Sequence, residues 1–362
     1  MTGTGRSGSK PKRDHRETRL ANLQAIKVDG RKRIDEDVRA NLQQWYDLGG
    51  TRRTHIEVRA AFLRRLHPLT PEELEAAGDI VDRPKPDLPR PPALAKLTAI
   101  PKGVALRTAL TLLFLVQTQP RALRGGARVD IPIVRDDDHR FGLVDLIAVN
   151  ATHTVGPDGG EFAATTATNR QRQIRSALAQ LADVGLVSLP SGGGRGSPRY
   201  HDVRLHSEVG NVEGTQPPVY TPPKARRTPT LTIPIEFFIN GWVHALTSRE
   251  IANWLMYRDL RTQSDPPKPS EDGSVPCDLR IAPRTRLIDY DLTRSTWDTH
   301  RNLKAFGLLD VWTDPRRRHN GTTDEGKWAQ PHRFRLIDEG LDAPGLETVE
   351  AILKDTTIPL NL

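Results

Sequence analysis

The feature that most restricts what this chain can fold into is an internal repeat. One segment reads Arg172-Gln173-Ile174-Arg175-Ser176-Ala177-Leu178-Ala179-Gln180-Leu181, then Val184-Gly185-Leu186-Val187. A second reads Arg294-Ser295-Thr296-Trp297, then Leu303 and Phe306-Gly307-Leu308-Leu309. Setting Gly185 on Gly307 superposes Arg172 on Arg294, Leu181 on Leu303 and Leu186 on Leu308 without a gap, so the pattern Arg-(x)8-Leu-(x)3-Gly-Leu occurs twice. After loops of unequal length both segments return through His-x-(Val/Phe)-Arg-Leu, at 201–205 and 332–336. Apolar residues three and four apart describe one face of a helix, the glycine suits a left-handed residue at its end, and the return run alternates like a strand. A repeated supersecondary unit fixes the fold class before any single motif does.

The surrounding sequence extends each copy in the same order. In the first, helices are expected at 104–117, 141–149 and 168–184, with Ile174, Ala177, Leu178 and Leu181 on the inner face of the third. Strands follow at 186–189 and 200–206. In the second, Thr247-Ser248-Arg249-Glu250 forms a capping box that opens a helix over 251–260, with further helices at 283–290 and 292–306 and strands at 308–312 and 333–337. The copies open on Ile100-Pro101 and Ile233-Pro234. Three helices and a β-hairpin in this order are the winged-helix arrangement. The expected fold class is therefore mainly α with small β-hairpins (α+β), as two tandem winged-helix domains after a helical N-terminal region. The divisions are a basic disordered arm at 1–33, a small helical region at 34–81 and a Pro-rich linker at 82–97. Domain 1 spans 98–208, a linker 209–229, domain 2 230–340, and a C-terminal helix and tail 341–362. Within 34–81 the helices expected are 34–48, 55–66 and one starting at Thr70-Pro71-Glu72-Glu73; near the end, 345–354 reads as an amphipathic helix that packs on the second unit or on another subunit.

Charge location says more than charge size. The chain of 362 residues has a net charge of +8. Ten Arg and Lys against three acids over 1–34 put +7 of it in the arm, where it can meet phosphates without reading sequence. No run of about 18 apolar residues exists, and no apolar stretch follows the basic start, so neither a membrane span nor a signal peptide is expected. The single cysteine, Cys277, excludes an internal disulfide and a multi-cysteine zinc site and fits a cytoplasmic setting, here nucleoid or plasmid associated.

The residues facing away from each third helix's apolar side are Asn169, Arg172, Gln173, Arg175 and Ser176 in the first copy, and Arg294, Trp297, Asp298, Arg301 and Lys304 in the second. Arg pairs with guanine, Asn or Gln with adenine, and Asp with a cytosine amine in a major groove. The hairpin tips carry Arg195 and Arg199 in a Gly-rich run and Arg316, Arg317 and Arg318 in a basic one, suited to phosphate or minor-groove contact. The bland alternatives are a solvated helix face and solubilising loops.

Other motifs fail on context. Gly3-Thr4-Gly5-Arg6-Ser7-Gly8 matches a dinucleotide fingerprint as text but has no strand before it. Gly321 to Lys327 looks like a phosphate loop, yet Trp328 stands where Ser or Thr would hold magnesium. His201 and His206 are too far apart for a rolling-circle nuclease pair, and Asp136-Asp137-Asp138-His139 reads as an acidic surface loop. No cofactor, metal or catalytic residue is expected.

Two such units behind a basic arm resemble plasmid replication initiators of the RepA type, at the level of architecture over about 100–338 and without residue-by-residue signatures. The resemblance implies binding to direct DNA repeats at an origin and allows repression of the chain's own gene. The partner expected is double-stranded DNA, with a homodimer as one option and no membrane. An ordinary transcriptional regulator, and a protein-interaction scaffold built on winged helices, are the alternatives; a nuclease or primase lacks a recognisable acidic constellation.

Overall fold

The structure, a computed structural model, describes residues 15–29, 32–77, 87–100, 104–150, 165–190, 200, 202–211, 217–224, 228–266, 275–318 and 322–361. Its elements run α1 (His15–Lys27), β1 (Val28–Asp29), β2 (Lys32–Arg33), α2 (Ile34–Leu48), β3 (His55–Arg59), α3 (Pro71–Ala76), α4 (Ala93–Ala99) and α5 (Val104–Thr118). Then come β4 (Leu123–Arg124), β5 (Arg128–Val129), α6 (Leu143–Leu146), α7 (Thr166–Val184), β6 (Val187–Ser188), β7 (Arg204–Leu205) and β8 (Thr230–Pro234). The rest are α8 (Glu236–Ile239), α9 (Trp242–Ala245), α10 (Ser248–Thr262), α11 (Pro283–Tyr290), α12 (Arg294–Trp297), α13 (His300–Ala305), β9 (Leu309–Trp312), β10 (Arg333–Leu336) and α14 (Gly345–Lys354). The chain is mixed helix and sheet, with only small antiparallel sheets.

The sequence repeat is also a repeat in space. At the end of α7 the Leu186 N–H donates to Leu181 O at 2.9 Å, and after α13 the Leu308 N–H donates to Leu303 O at 3.0 Å. Gly185 (φ +81°) and Gly307 (φ +76°) make both of these six-to-one closures possible. The hairpins share a register: Val187 pairs with Leu205 and Leu309 with Leu336, Ser188 with Arg204 and Asp310 with Arg335. Each hairpin is joined at the equivalent point, by β5 in the first copy, where Val129 N–H donates to Val203 O at 2.8 Å, and by an isolated bridge in the second, where Leu279 N–H donates to Phe334 O at 3.0 Å. Ahead of each hairpin stand a helix (α5, α10), the segment that pairs with the hairpin, and further helices, two in the first copy (α6, α7) and three in the second (α11, α12, α13).

Four expectations need correcting. The second third-helix is not one rod: α12 and α13 are separated at Asp298–Thr299. The Trp297 carbonyl, which Arg301 N–H would claim in a continuous helix, is taken by Asn253 Nδ2 at 3.0 Å and His300 Nδ1 at 2.8 Å. Arg301 N–H turns to Asp298 O at 3.4 Å instead, side-chain bonds having displaced the ladder. Residues 55–59 form a strand rather than a helix, pairing antiparallel with β8 (Ile56 opposite Ile233, Val58 opposite Leu231). Its alternating buried Ile56 and Val58 are the strand period, outvoted in the sequence by neighbours that suit a helix. The expected linker at 82–97 contains most of α4, whose Leu94 and Leu97 are fully buried. The second half of the expected disordered arm is α1, with Leu23 and Ile26 in the core; the first half lies outside the described residues.

The two copies do not stand on separate cores. One continuous apolar cluster takes in α1, α2, β3, α5, α7, β8, α8–α10, α13 and α14. Phe114 of α5 stacks on Phe238 of α8 at 4.7 Å between centroids, and Phe237 stacks on Trp254 of α10 at 4.6 Å. Trp45 of α2, set on the inner face with Val38 and Leu42, donates its indole N–H to Leu115 O at 3.2 Å. Buried Gln117 of α5 bonds both backbone groups of Glu57 (2.9 and 2.7 Å), occupying the edge of β3 that β8 leaves open. The C-terminal α14 packs on α9 and α1 of the same chain.

Glu250 ties these parts together. Fully buried at the first turn of α10, it completes the expected capping box with Thr247, receives both Arg19 guanidinium nitrogens of α1 at 2.7 Å, and accepts from Asn302 Nδ2 of α13 at 2.8 Å. Replacing Glu250 by Ala leaves buried Arg19 and Asn302 without that acceptor, so urea unfolding is expected to show a loss of about 3–5 kcal/mol. A second outcome concerns acid. His244 of α9 is 1% exposed, neither ring nitrogen has a partner, and burial, with Arg107 adding, lowers its pKa to about 3. Below the unfolded value of about 6.5 the unfolded chain gains a proton that the native ring refuses, so stability falls with pH between 6.5 and 3. Relative to the parent, His244→Leu is expected to gain about 1.4 kcal/mol per pH unit on going down from pH 6.5 to 5, read from paired urea curves.

Candidate nucleic-acid interface

α7 begins with Thr165, whose side chain accepts from Thr168 N–H at 3.2 Å, and its inner face buries Ile174, Ala177, Leu178 and Leu181. That leaves Arg172, Arg175 and Ser176 exposed on the outer face. Arg175 lies over the Tyr200 ring at 5.9 Å, which holds the guanidinium near the base of the first hairpin loop. Two residues expected on this face are otherwise engaged. Asn169 is only 3% exposed, although it stands one turn before Arg172. Gln173 is half-buried and its amide donates to Asn150 O. Arg195, Arg199 and His201 lie outside the described residues.

In the second copy the exposed cations are Arg294 on α12 and Arg301 and Lys304 on α13. Arg294 sits over the Trp297 ring at 5.3 Å and its Nε donates to Asp298 at 3.2 Å. Asp298, read as an acceptor for cytosine, therefore pairs with Arg294 from the end of α12. Trp297 is half-buried in a ring cluster with His300, His332 and Phe334, at centroid distances of 4.5, 5.8 and 6.3 Å. Burial, with His332 and Arg301 adding, brings His300 down to about 4. His332 is also lowered, by its partial burial and then by Arg317, Arg301 and Arg294.

The tip of the second hairpin is held by a residue that the sequence reading passed over. Asp314 is 2% exposed and accepts from the backbone N–H groups of Arg316 and Gln330, each at 3.0 Å, and from Arg316 Nε at 3.3 Å. The bonds from the Gln330 and Arg316 amides hold its carboxyl below the usual carboxylate range. Arg317 donates to Gln330 O at 3.2 Å and Arg318 pairs with Asp324, so the basic run is presented on a bonded scaffold. The second residue missed is Trp328, 84% exposed at the same tip. The signal for Asp314 was an acid immediately before a basic run; for Trp328 it was a large aromatic in an otherwise polar loop.

The arrangement can offer guanidinium and ammonium groups to an extended polyanion along two helix faces and one hairpin tip. Among the described residues no group of three or more His, Cys, Asp or Glu is placed to hold a metal ion, and no helix is long and apolar enough to cross a membrane. Comparison with models of protein families, with curated proteins and with solved structures found no match to this chain.

Asp314→Ala is expected to leave global unfolding nearly unchanged while raising hydrogen exchange at the Arg316 and Gln330 amides and speeding proteolysis within 313–332. Unchanged protection at both amides would contradict the assigned role.

Proposed function

We propose that the chain is a double-stranded DNA-binding protein built from two winged-helix units, acting by binding rather than by catalysis, in the manner of a plasmid-type replication initiator or autoregulator. The observation that carries this reading is the coincidence of two facts at each repeat. The helix that leads into the left-handed glycine buries one face and exposes cations on the other, and a hairpin of identical register follows it. A solvated helix face explains one such stripe; it does not explain why an exposed arginine recurs at the same repeat position, Arg172 and Arg294, ahead of the same hairpin.

In this reading α7 and α12–α13 enter major grooves, with Arg172, Arg175, Arg294, Arg301 and Lys304 as the contacting side chains and Arg316, Arg317 and Arg318 on the flanking backbone. Arg16 and Arg19, counted in the basic arm, are committed elsewhere: Arg16 to the carbonyls of Leu353 and Ile358, Arg19 to Glu250. Two readers in one chain can engage two neighbouring half-sites in tandem without the two-fold dimer that a palindrome mirrors. That favours the initiator over an ordinary dimeric regulator.

The test is selection of bound fragments from random DNA, followed by footprinting and salt titration of the selected site. Protection is expected over about two helical turns, and affinity should fall steeply with salt as counterions are released. Arg172→Ala and Arg294→Ala should each cost about 1–3 kcal/mol on the selected site if the side chain reads a base, and should lower the salt slope by about one if it contacts phosphate. Retention of DNA that neither substitution alters, or no retention at any salt, would return the chain to the scaffold reading.

A further inference from the structure

Where α12 meets the second hairpin, Arg294, Trp297, Arg317, Trp328, His332 and Phe334 wall a cleft of about 220 Å³. Its size falls below the roughly 300–1,000 Å³ of sites for drug-sized ligands, so it suits a single ring system. Its walls are unusual in two respects. Trp328 is the only aromatic side chain among the strongly exposed apolar residues described, and its indole stands 84% in solvent. An apolar ring face that large and that exposed can serve as a stacking platform. The cleft's lining also carries three guanidinium groups, of which Arg286 is buried and donates to Leu292 O, and no carboxylate, and the depressed pKa of His332 traces partly to Arg317, Arg301 and Arg294. Arg294 already has Asp298 beside it, so Arg317 is the better placed cation for an incoming anion.

A ligand that fits must be planar, aromatic and negatively charged at one end. We infer that this cleft binds one unstacked nucleotide, its base against Trp328 and Trp297 and its phosphate on Arg317. Aromatic faces accept any base because each has a π surface, and arginine binds phosphate through paired N–H donors. The nucleotide can come from a DNA strand opened next to the duplex that α7 holds, or from the free pool. The first source rests on the DNA-binding reading; the second does not.

The experiment follows quenching of tryptophan fluorescence in the full chain on titration with dAMP, with a 12-residue single-stranded oligonucleotide, and with a duplex of random sequence. Quenching by dAMP or by the single strand is expected, the first marking a free nucleotide and the second alone a strand. Trp328→Ala should weaken that binding about 5- to 150-fold, and Arg317→Ala should weaken it while reducing its salt dependence. Neither substitution touches the core, and Trp328→Ala should leave duplex retention within twofold of the parent. Absence of quenching by both probes, or equal affinity in Trp328→Ala, overturns the inference. Loss of duplex binding with nucleotide quenching intact would instead sink the DNA-reading proposal and leave the cleft standing.

Discussion

The buried carboxylate of Glu250 is the point on which the rest of the molecule depends. It ends the N-terminus of α10 in a capping box, neutralises Arg19 from a helix more than 200 residues away in sequence, and anchors Asn302 of α13. Asn302 in turn bonds both backbone groups of Asn361 it can reach, donating to O and accepting from N–H at 2.8 Å each. A charge withdrawn from water is tolerable only when its lone pairs are filled and a counter-charge is at hand. Meeting that demand here requires α1, α10, α13 and the C-terminal segment to arrive together, which makes the second unit's outer helix part of a whole-chain assembly.

The same dependence explains why the two copies, alike in register, differ in their third helices. α7 is bounded by a Thr cap and a glycine closure, with nothing intruding on its ladder, and runs nineteen residues. α12–α13 has the same closure but lies against α10, where Asn253 reaches across to the Trp297 carbonyl. The helix is interrupted there, and Trp297 lies beside His332 and the hairpin tip. The cleft lies at that junction, and among the described residues the first copy has the exposed arginines without an equivalent ring cluster.

Much of the local structure was legible. Ile34–Leu48, Pro283–Tyr290 and Gly345–Lys354 match the helices read from the sequence, a helix starts at Thr70-Pro71 as expected, and the capping box at Thr247 forms as its residue types require. The candidate site was legible in part, through Arg172, Arg175, Arg301 and Lys304. It failed at Asn169 and Gln173, where a helical wheel places the residue near the boundary and the neighbouring loop decides which side it takes. It failed also at Asp314 and Trp328, since loop residues carry no period to read.

By itself the sequence determined the repeat: spacing of Leu, Gly and Arg sets the helix end, the left-handed turn and the strand register within a few residues of one another, and such short-range geometry needs no partner. Tertiary structure alone decided that 55–59 is a strand, that α4 and α1 are buried rather than loose, and that the two copies share one core. Those outcomes depend on β8, α10 and α14, residues far along the chain whose apolar faces and buried charges become neighbours only when the whole chain closes, and no local pattern encodes which distant surface will be there.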